Sequence, residues 1–199
     1  MGLFEETVLR KIGKRAALAK GATERLAEDA RITKSTQSFD VFLSHSLKDA
    51  DVILGIKTVL ESKRLSVYVD WVEDPQLDRG SVSPETAKHL RTRMQQSKSL
   101  IYAHSNNSPA SKWMPWELGY FDGRNGAIAV FPIIKMPDEK FDGQEFLGLY
   151  PYIDYVNQFY MFINKGRAPR YTLGNVKQSE DFTSFEDWMR DRAKVVIAG

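Results

Sequence analysis

The stretch Ser111-Lys112-Trp113-Met114-Pro115-Trp116-Glu117 sets two indole rings and one carboxylate around the start of a helix. Proline is tolerated only in the first turn, so the helix begins between 112 and 114. Glu117 then falls in the first or second turn, four residues after Trp113, and the two share a face if the turn includes both. Rings beside a single carboxylate suit a flat heterocycle joined to a sugar. The rings stack on the base, and the acid accepts from ribose hydroxyls. The plainer alternative is that an early acid complements the helix dipole, with both tryptophans serving core or interface. Spacing alone leans to that alternative.

Two more clusters have residues suited to binding. Ser44-His45-Ser46 closes one apolar run, and Asp70-Trp71 closes another. The serine hydroxyls serve equally well to cap a strand end. Asp70 is also a residue that fixes a following loop by Asx-type hydrogen bonds, and Trp71 has the size of a core residue. His45 reads as a hydrogen-bonding neighbour of a site rather than as a general base.

All three clusters need elements to position them. Residues 39–44, 66–70, 99–103 and 127–134 are short runs rich in β-branched and aromatic residues. Their near-continuous hydrophobicity suits strands buried on both faces. Helical patterns lie between them. Val52, Ile53, Ile56, Val59 and Leu60 follow Asp49, which is placed to cap a helix. Ser83-Pro84-Glu85 supplies a cap, a first-turn proline and a first-turn acid for a helix through Met94. A third helix ends near Gly123. Strand alternating with helix predicts an α/β fold on a parallel sheet. In such sheets ligands bind beyond the carboxyl ends of the strands, where the three clusters fall. A fifth strand comes from 149–153 or from 155–163, and a final helix starts at Ser184 with Phe185, Trp188 and Met189 on one side.

The flanks are different in character. In residues 1–36, Leu3, Phe4, Val8, Leu9, Ile12, Ala16 and Leu18 recur at helical spacing among basic residues. This N-terminal helical extension either packs on the domain or on another copy, or lies on a membrane surface. Residues 32–38 read as a linker, 37–165 as the central domain, and 166–199 as a C-terminal extension ending in a helix. The 199 residues, 42% hydrophobic, suffice for one core. With 28 basic and 26 acidic residues there is no charge signature of a nucleic-acid binder. Cysteine is absent, which removes disulfides and thiolate chemistry. His45, His89 and His104 lack metal-ligand spacing, so no metal is expected. No apolar run has the length of a membrane span, and the charged N-terminus is not a signal peptide, so the expected location is cytoplasmic.

Phe42-Leu43-Ser44-His45-Ser46, followed by Asp49 and a helix, resembles the first box of TIR domains (Toll/interleukin-1 receptor/resistance protein). Val67-Tyr68-Val69-Asp70-Trp71 resembles their second strand, and Glu73 to Ser83 the variable loop after it. Ser97 to Ser105 resembles the third strand, and Ser111 to Leu118 the Trp-x-x-x-Glu stretch. The four motifs keep the family's order and spacing from 38 to 155. The resemblance implies a flavodoxin-like fold, a parallel five-stranded sheet with flanking helices. It also implies one of two functions. Some members are scaffolds that associate with other TIR domains. Others cleave the nicotinamide–ribose bond of NAD+, giving ADP-ribose or cyclic isomers used as immune signals, often against phage. In those, the glutamate of the Trp-x-x-x-Glu stretch is catalytic, which is Glu117 here. Ser44, His45, Ser46, Asp70, Trp71 and Trp113 are the substrate-binding positions that come with it. NAD+ is then substrate and no cofactor is implied. Implied partners are other copies of the domain, since the variable loop completes a neighbour's site, and an effector that senses the product. Pro115 and Trp116 depart from the usual stretch. A nucleoside-processing enzyme of similar fold is the third alternative.

Overall fold

The apolar runs form strands because both their faces find a helical layer. The computed structural model describes residues 3–20, 38–74, 83–124, 127–136, 143–155, 161–164 and 182–197. Strands β2 (Phe39–Ser44), β3 (Val67–Tyr68), β4 (Ser97–His104), β5 (Ile128–Ile134) and β6 (Tyr152–Tyr155) run parallel. Their order is β3-β2-β4-β5-β6. The chain winds outward from β2 to β3, then returns to β4 on the other side. This is the flavodoxin-like order, and its switch point lies between β2 and β4.

Three further strands extend the expected five. β1 (Phe4–Glu5) pairs parallel with β5, with Phe4 opposite Ile133. β7 (Met161–Asn164) and β8 (Phe182–Ser184) continue antiparallel beyond β6. Both segments considered for a fifth strand therefore contain strand. The first supplies part of parallel β6, and the second supplies β7.

Helices α1 (Glu6–Lys20), α2 (Ala50–Glu61) and α6 (Phe185–Ile197) cover one face of the sheet. There Val41, Leu43, Ile101, Ala103 and Phe131 pack with Leu9, Ile53, Ile56 and Trp188. On the other face lie α4 (Pro84–Gln95) and α5 (Trp113–Asp122). There Phe42, Leu100, Tyr102 and Val130 meet Leu90, Met94, Leu118 and Phe121. Alternate strand residues thus feed alternate layers, and every residue of β5 is buried. Ser83 caps α4 as expected, accepting from the Thr86 amide at 3.1 Å, with Pro84 at the first position. A four-residue helix, α3 (Asp70–Glu73), follows β3.

The N-terminal helix takes the packing alternative. Leu3, Phe4 and Leu9 are buried. At its crossing with α2, a Cβ on Gly13 would lie 1.9 Å from the Asp51 carbonyl oxygen, and one on Gly55 2.1 Å from that of Leu9. The two helices touch backbone to backbone, which only glycine permits. Arg10 adds bonds to Glu6 at 2.6 Å and Asp51 at 3.4 Å. The expected linker at 32–38 lies almost wholly outside the described residues, as does most of the loop after α3. Among the described residues no helix is long and apolar enough to cross a membrane.

Candidate active site

The register of β2 on β4 builds the centre of the site. Ser44 lies opposite Tyr102, so both side chains face the layer that contains α5. Glu117 projects from the second turn of α5 towards them. Ser44 Oγ donates to Glu117 Oε2 at 2.6 Å, and both residues are 0% exposed. Burial, reinforced by the Glu117 charge, pushes the Tyr102 phenol up to about 12. Tyr102 therefore stays protonated at neutral pH, and its hydroxyl donates to Gln144 Oε1 at 3.3 Å. The local sequence pattern marks Tyr102 only as a strand residue. Its position opposite Ser44 is a property of strand pairing, which no local pattern shows.

Pro115 sits at the third position of α5, where its missing N–H is one of the helix's orphan donors, so the helix forms as expected. Trp113 and Trp116 meet edge to face at 5.5 Å, and Trp116 stacks on Tyr120 at 5.9 Å. The departures at 115 and 116 therefore leave Trp113 on the same side of α5 as Glu117, and Trp116 goes to the outer flank.

His45 is held by two hydrogen bonds. Its Nδ1–H donates to the Leu43 carbonyl at 2.7 Å, and its Nε2 accepts from Trp71 Nε1 at 2.8 Å. Those two bonds define a neutral ring carrying its proton on Nδ1. Asp70 Oδ1 lies 3.3 Å from the same Nε2 and accepts the Trp71 amide at 2.8 Å. Trp71 braces His45, and Asp70 in turn fixes the Trp71 amide.

Both ends of α3 are anchored, which keeps Trp71 in place. Lys57 Nζ, buried on α2, donates to the Val67 carbonyl at 3.1 Å and to Glu73 at 3.4 Å. Asp74, just after α3, accepts two bonds from Arg93 at 2.9 Å and one from Tyr68 at 2.8 Å, with His89 Nε2 at 2.8 Å. Burial alone would raise the Asp74 carboxyl. The bonds from Arg93, His89 and Tyr68 outweigh it and hold the group below the usual carboxylate range.

Asp49 does not cap α2 with its side chain. The carboxylate turns the other way, accepting from Ser105 Oγ at 2.5 Å and Asn107 Nδ2 at 2.6 Å. Bonds to two donors on the β4 loop outcompete a local cap, and they tie the β2 loop to the β4 loop. Between these tied loops opens a cleft of about 220 Å³, lined by residues 45–48 and 110–113. His45, Ser46 and Trp113 line it, whereas Glu117, four residues after Trp113 and bonded to Ser44, is fully buried and is not part of the lining. The cleft is at the switch point, where the fold rule puts a ligand. No group of three or more metal-ligating side chains occurs among the described residues.

Residues 41–164 match the family model of the TIR domain. The chain belongs to the TIR domain family. Its TIR domain is similar to the "Probable 3' cyclic ADP-D-ribose synthase ThsB'" of Bacillus cereus (strain MSX-D12), 58% identical over 116 residues. It is also similar to the "Putative cyclic ADP-D-ribose synthase TIR2" of Cytobacillus dafuensis, 40% identical over 83 residues. These matches cover 58% and 41% of this chain, and 60% and 22% of the relatives' own lengths. All seven positions singled out in the sequence lie inside the TIR match and surround one end of its sheet.

Proposed function

We propose that this TIR domain cleaves the nicotinamide–ribose bond of NAD+, with Glu117 as the catalytic carboxylate. The observation that carries this is a fully buried carboxylate, bonded to Ser44 and four residues along α5 from the tryptophan that lines the cleft at the sheet's switch point. Burying a carboxylate costs several kcal/mol per ion, a cost that a purely structural acid early in a helix has no need to incur. Departure of nicotinamide leaves an oxocarbenium-like ribose, and a fixed negative charge stabilises it. The leaving group is already cationic, so no general acid is required. Trp113 offers a stacking face, and His45 and Ser46 offer polar contacts on the opposite loop. Ser44 holds the carboxylate rather than the substrate, and Asp70 and Trp71 act through His45. The cleft wall has to open before ribose reaches Glu117.

The names of the relatives favour a cyclic ADP-ribose product over the linear one, and the family resemblance makes an immune signal against phage its proposed use. NAD+ serves as substrate with no cofactor, in the cytoplasm. Self-association through the loop after α3, and an effector that senses the product, complete the proposal. Because Glu117 is not among the residues that line the cleft, one rival stands, a non-catalytic scaffold whose glutamate serves only the helix. Incubating the chain and Glu117→Ala with NAD+ at high protein concentration, and separating products by chromatography, decides between them. Nicotinamide release by the parent alone supports the enzyme, and product mobility tells cyclase from hydrolase. No release from the parent, at concentrations where it self-associates, supports the scaffold.

A further inference from the structure

His45 offers one nitrogen to two competitors. Its Nδ1 lies 2.7 Å from the Leu43 carbonyl oxygen, which only accepts, so that nitrogen carries the proton. Its Nε2 lies 2.8 Å from Trp71 Nε1, which only donates, so that nitrogen is bare. Asp70 Oδ1 lies 3.3 Å from the same Nε2, and with the ring neutral it finds no proton there to accept. The His45 and Asp70 side chains are 0% and 1% exposed, whereas Trp71 is half-buried. The other charged groups around the ring come from three elements. Asp49, in the same turn, is bound to Ser105 and Asn107. Glu73, at the far end of α3, meets Lys57, and Glu117 on α5 accepts from Ser44. Lys48 and Lys112 line the cleft with His45. Among the described residues only Asp70 comes within ion-pair distance of the ring.

A proton arriving at Nε2 reverses the order of the competitors. The ring then presents an N–H where it had a lone pair, so Trp71 Nε1–H has nothing left to donate to. The Asp70 carboxylate becomes the acceptor, and the new bond is charge-assisted. A buried imidazolium is costly without a counter-charge, which Asp70 supplies. Asp70 Oδ1 also accepts the Trp71 amide at 2.8 Å, so the carboxylate is already fixed where the proton will need it. We infer that His45, Asp70 and Trp71 form a proton-operated latch on the cleft wall: the neutral ring holds the Trp71 indole, and the protonated ring exchanges it for Asp70. Trp71 is the second residue of α3, whose far end is anchored through Glu73 and Asp74. The exchange therefore frees the indole and leaves the helix in place. It also puts a charge on a residue that lines the cleft. The inference rests on the NAD+ reading only for the reaction that the latch regulates, with the neutral, latched form as the active one.

The test follows the isotopically labelled full chain by NMR from about pH 8 to about pH 5, the range in which histidines change charge. The Trp71 indole N–H resonance, assigned by its loss in Trp71→Phe, should leave its hydrogen-bonded position with the same midpoint as the His45 ring nitrogens. Two variants should move the His45 midpoint in opposite directions. Trp71→Phe keeps an aromatic ring and removes the competing donor, so the midpoint should rise by about 0.4–1 pH unit. Asp70→Asn keeps an acceptor for the Trp71 amide and removes the counter-charge, so the midpoint should fall by about 1 pH unit or more. Shifts of the same sign, or an indole resonance indifferent to protonation of His45, overturn the latch. In turnover, kcat/KM for NAD+ should fall about tenfold per pH unit below the midpoint, and Asp70→Asn should carry that fall to lower pH. Opposed shifts in a parent that cleaves no NAD+ sink the enzymatic reading and keep the latch. Cleavage with ring and indole titrating independently does the reverse. Cleavage that ignores the midpoint while the opposed shifts are present overturns the regulatory role.

Discussion

Replacing Glu117 by glutamine separates the two purposes a buried carboxylate can have. The shape is kept and only the charge is removed. The bond from Ser44, 2.6 Å long, passes from a charged acceptor to a neutral one. Such bonds contribute about 1.5–3 and about 0.5–1.5 kcal/mol respectively, so the exchange loses about 1 kcal/mol. Against that, the carboxylate is 0% exposed. Relieving the desolvation of a buried ion returns several kcal/mol. The balance favours the variant by roughly 1–3 kcal/mol, or about 2–12 °C in Tm for a chain of this size. The same change removes the charge that the proposed reaction requires beside the ribose. Loss of one preorganised electrostatic contact to a transition state costs about 10²–10³-fold in rate, and nicotinamide release should fall at least that far. Scanning calorimetry and a nicotinamide assay on one preparation give both numbers. A Tm that drops by more than about 2 °C would show that the charge serves the helix and the fold. Retained turnover would refute the catalytic assignment outright.

Three further outcomes follow from the geometry. Gly13→Ala forces α1 off α2, because its Cβ would meet the Asp51 carbonyl at 1.9 Å. Overpacking of this kind costs about 1–3 kcal/mol, which thermal unfolding will report as a Tm lower by about 2–12 °C. Asp49→Ala frees Ser105 and Asn107 together, a loss of about 3 kcal/mol or more. Because Asp49 ties the cleft's loops while Ser44 holds Glu117, steady-state kinetics should show KM rising more than kcat falls. The third concerns acid. Asp74 and Asp40 both titrate below the usual carboxylate range, burial being outweighed by Arg93, His89 and Tyr68 in one case and by Lys98 and Ser66 in the other. A depressed carboxyl contributes stability that is present above the unfolded value, about 3.9, and is lost as pH falls through the folded value. Urea midpoints should lose this contribution only below about pH 4, as pH falls toward the folded values, and Asp74→Asn should flatten that fall.

Much of this protein is legible residue by residue. The apolar runs of β2, β4 and β5 mark strands buried on both faces, since only a two-layered sheet tolerates such continuity. Ser83 and Pro84 mark the start of α4, because caps act on amides two or three residues away. Pro115 bounds the start of α5 for the same local reason, and so puts Trp113 and Glu117 on one side of it. Local covalent geometry decides these features, and the chain carries them wherever it goes. The site's working contacts are of another kind. Ser44 and Glu117 are 73 residues apart, and Asp49 lies 56 residues from Ser105. Tyr102 meets Ser44 only through the register of β2 on β4. Asp49 was legible as a cap and became a tie between loops. Gly13 and Gly55 carry no local signal; their need for glycine arises only where two helices touch. Burial of Glu117, which gives its charge its cost and its strength, exists only once α5 has closed over the sheet. Short-range rules are written in neighbouring residues, but register, layer and dielectric arise when distant segments share one core, and those decided what the carboxylate is able to do.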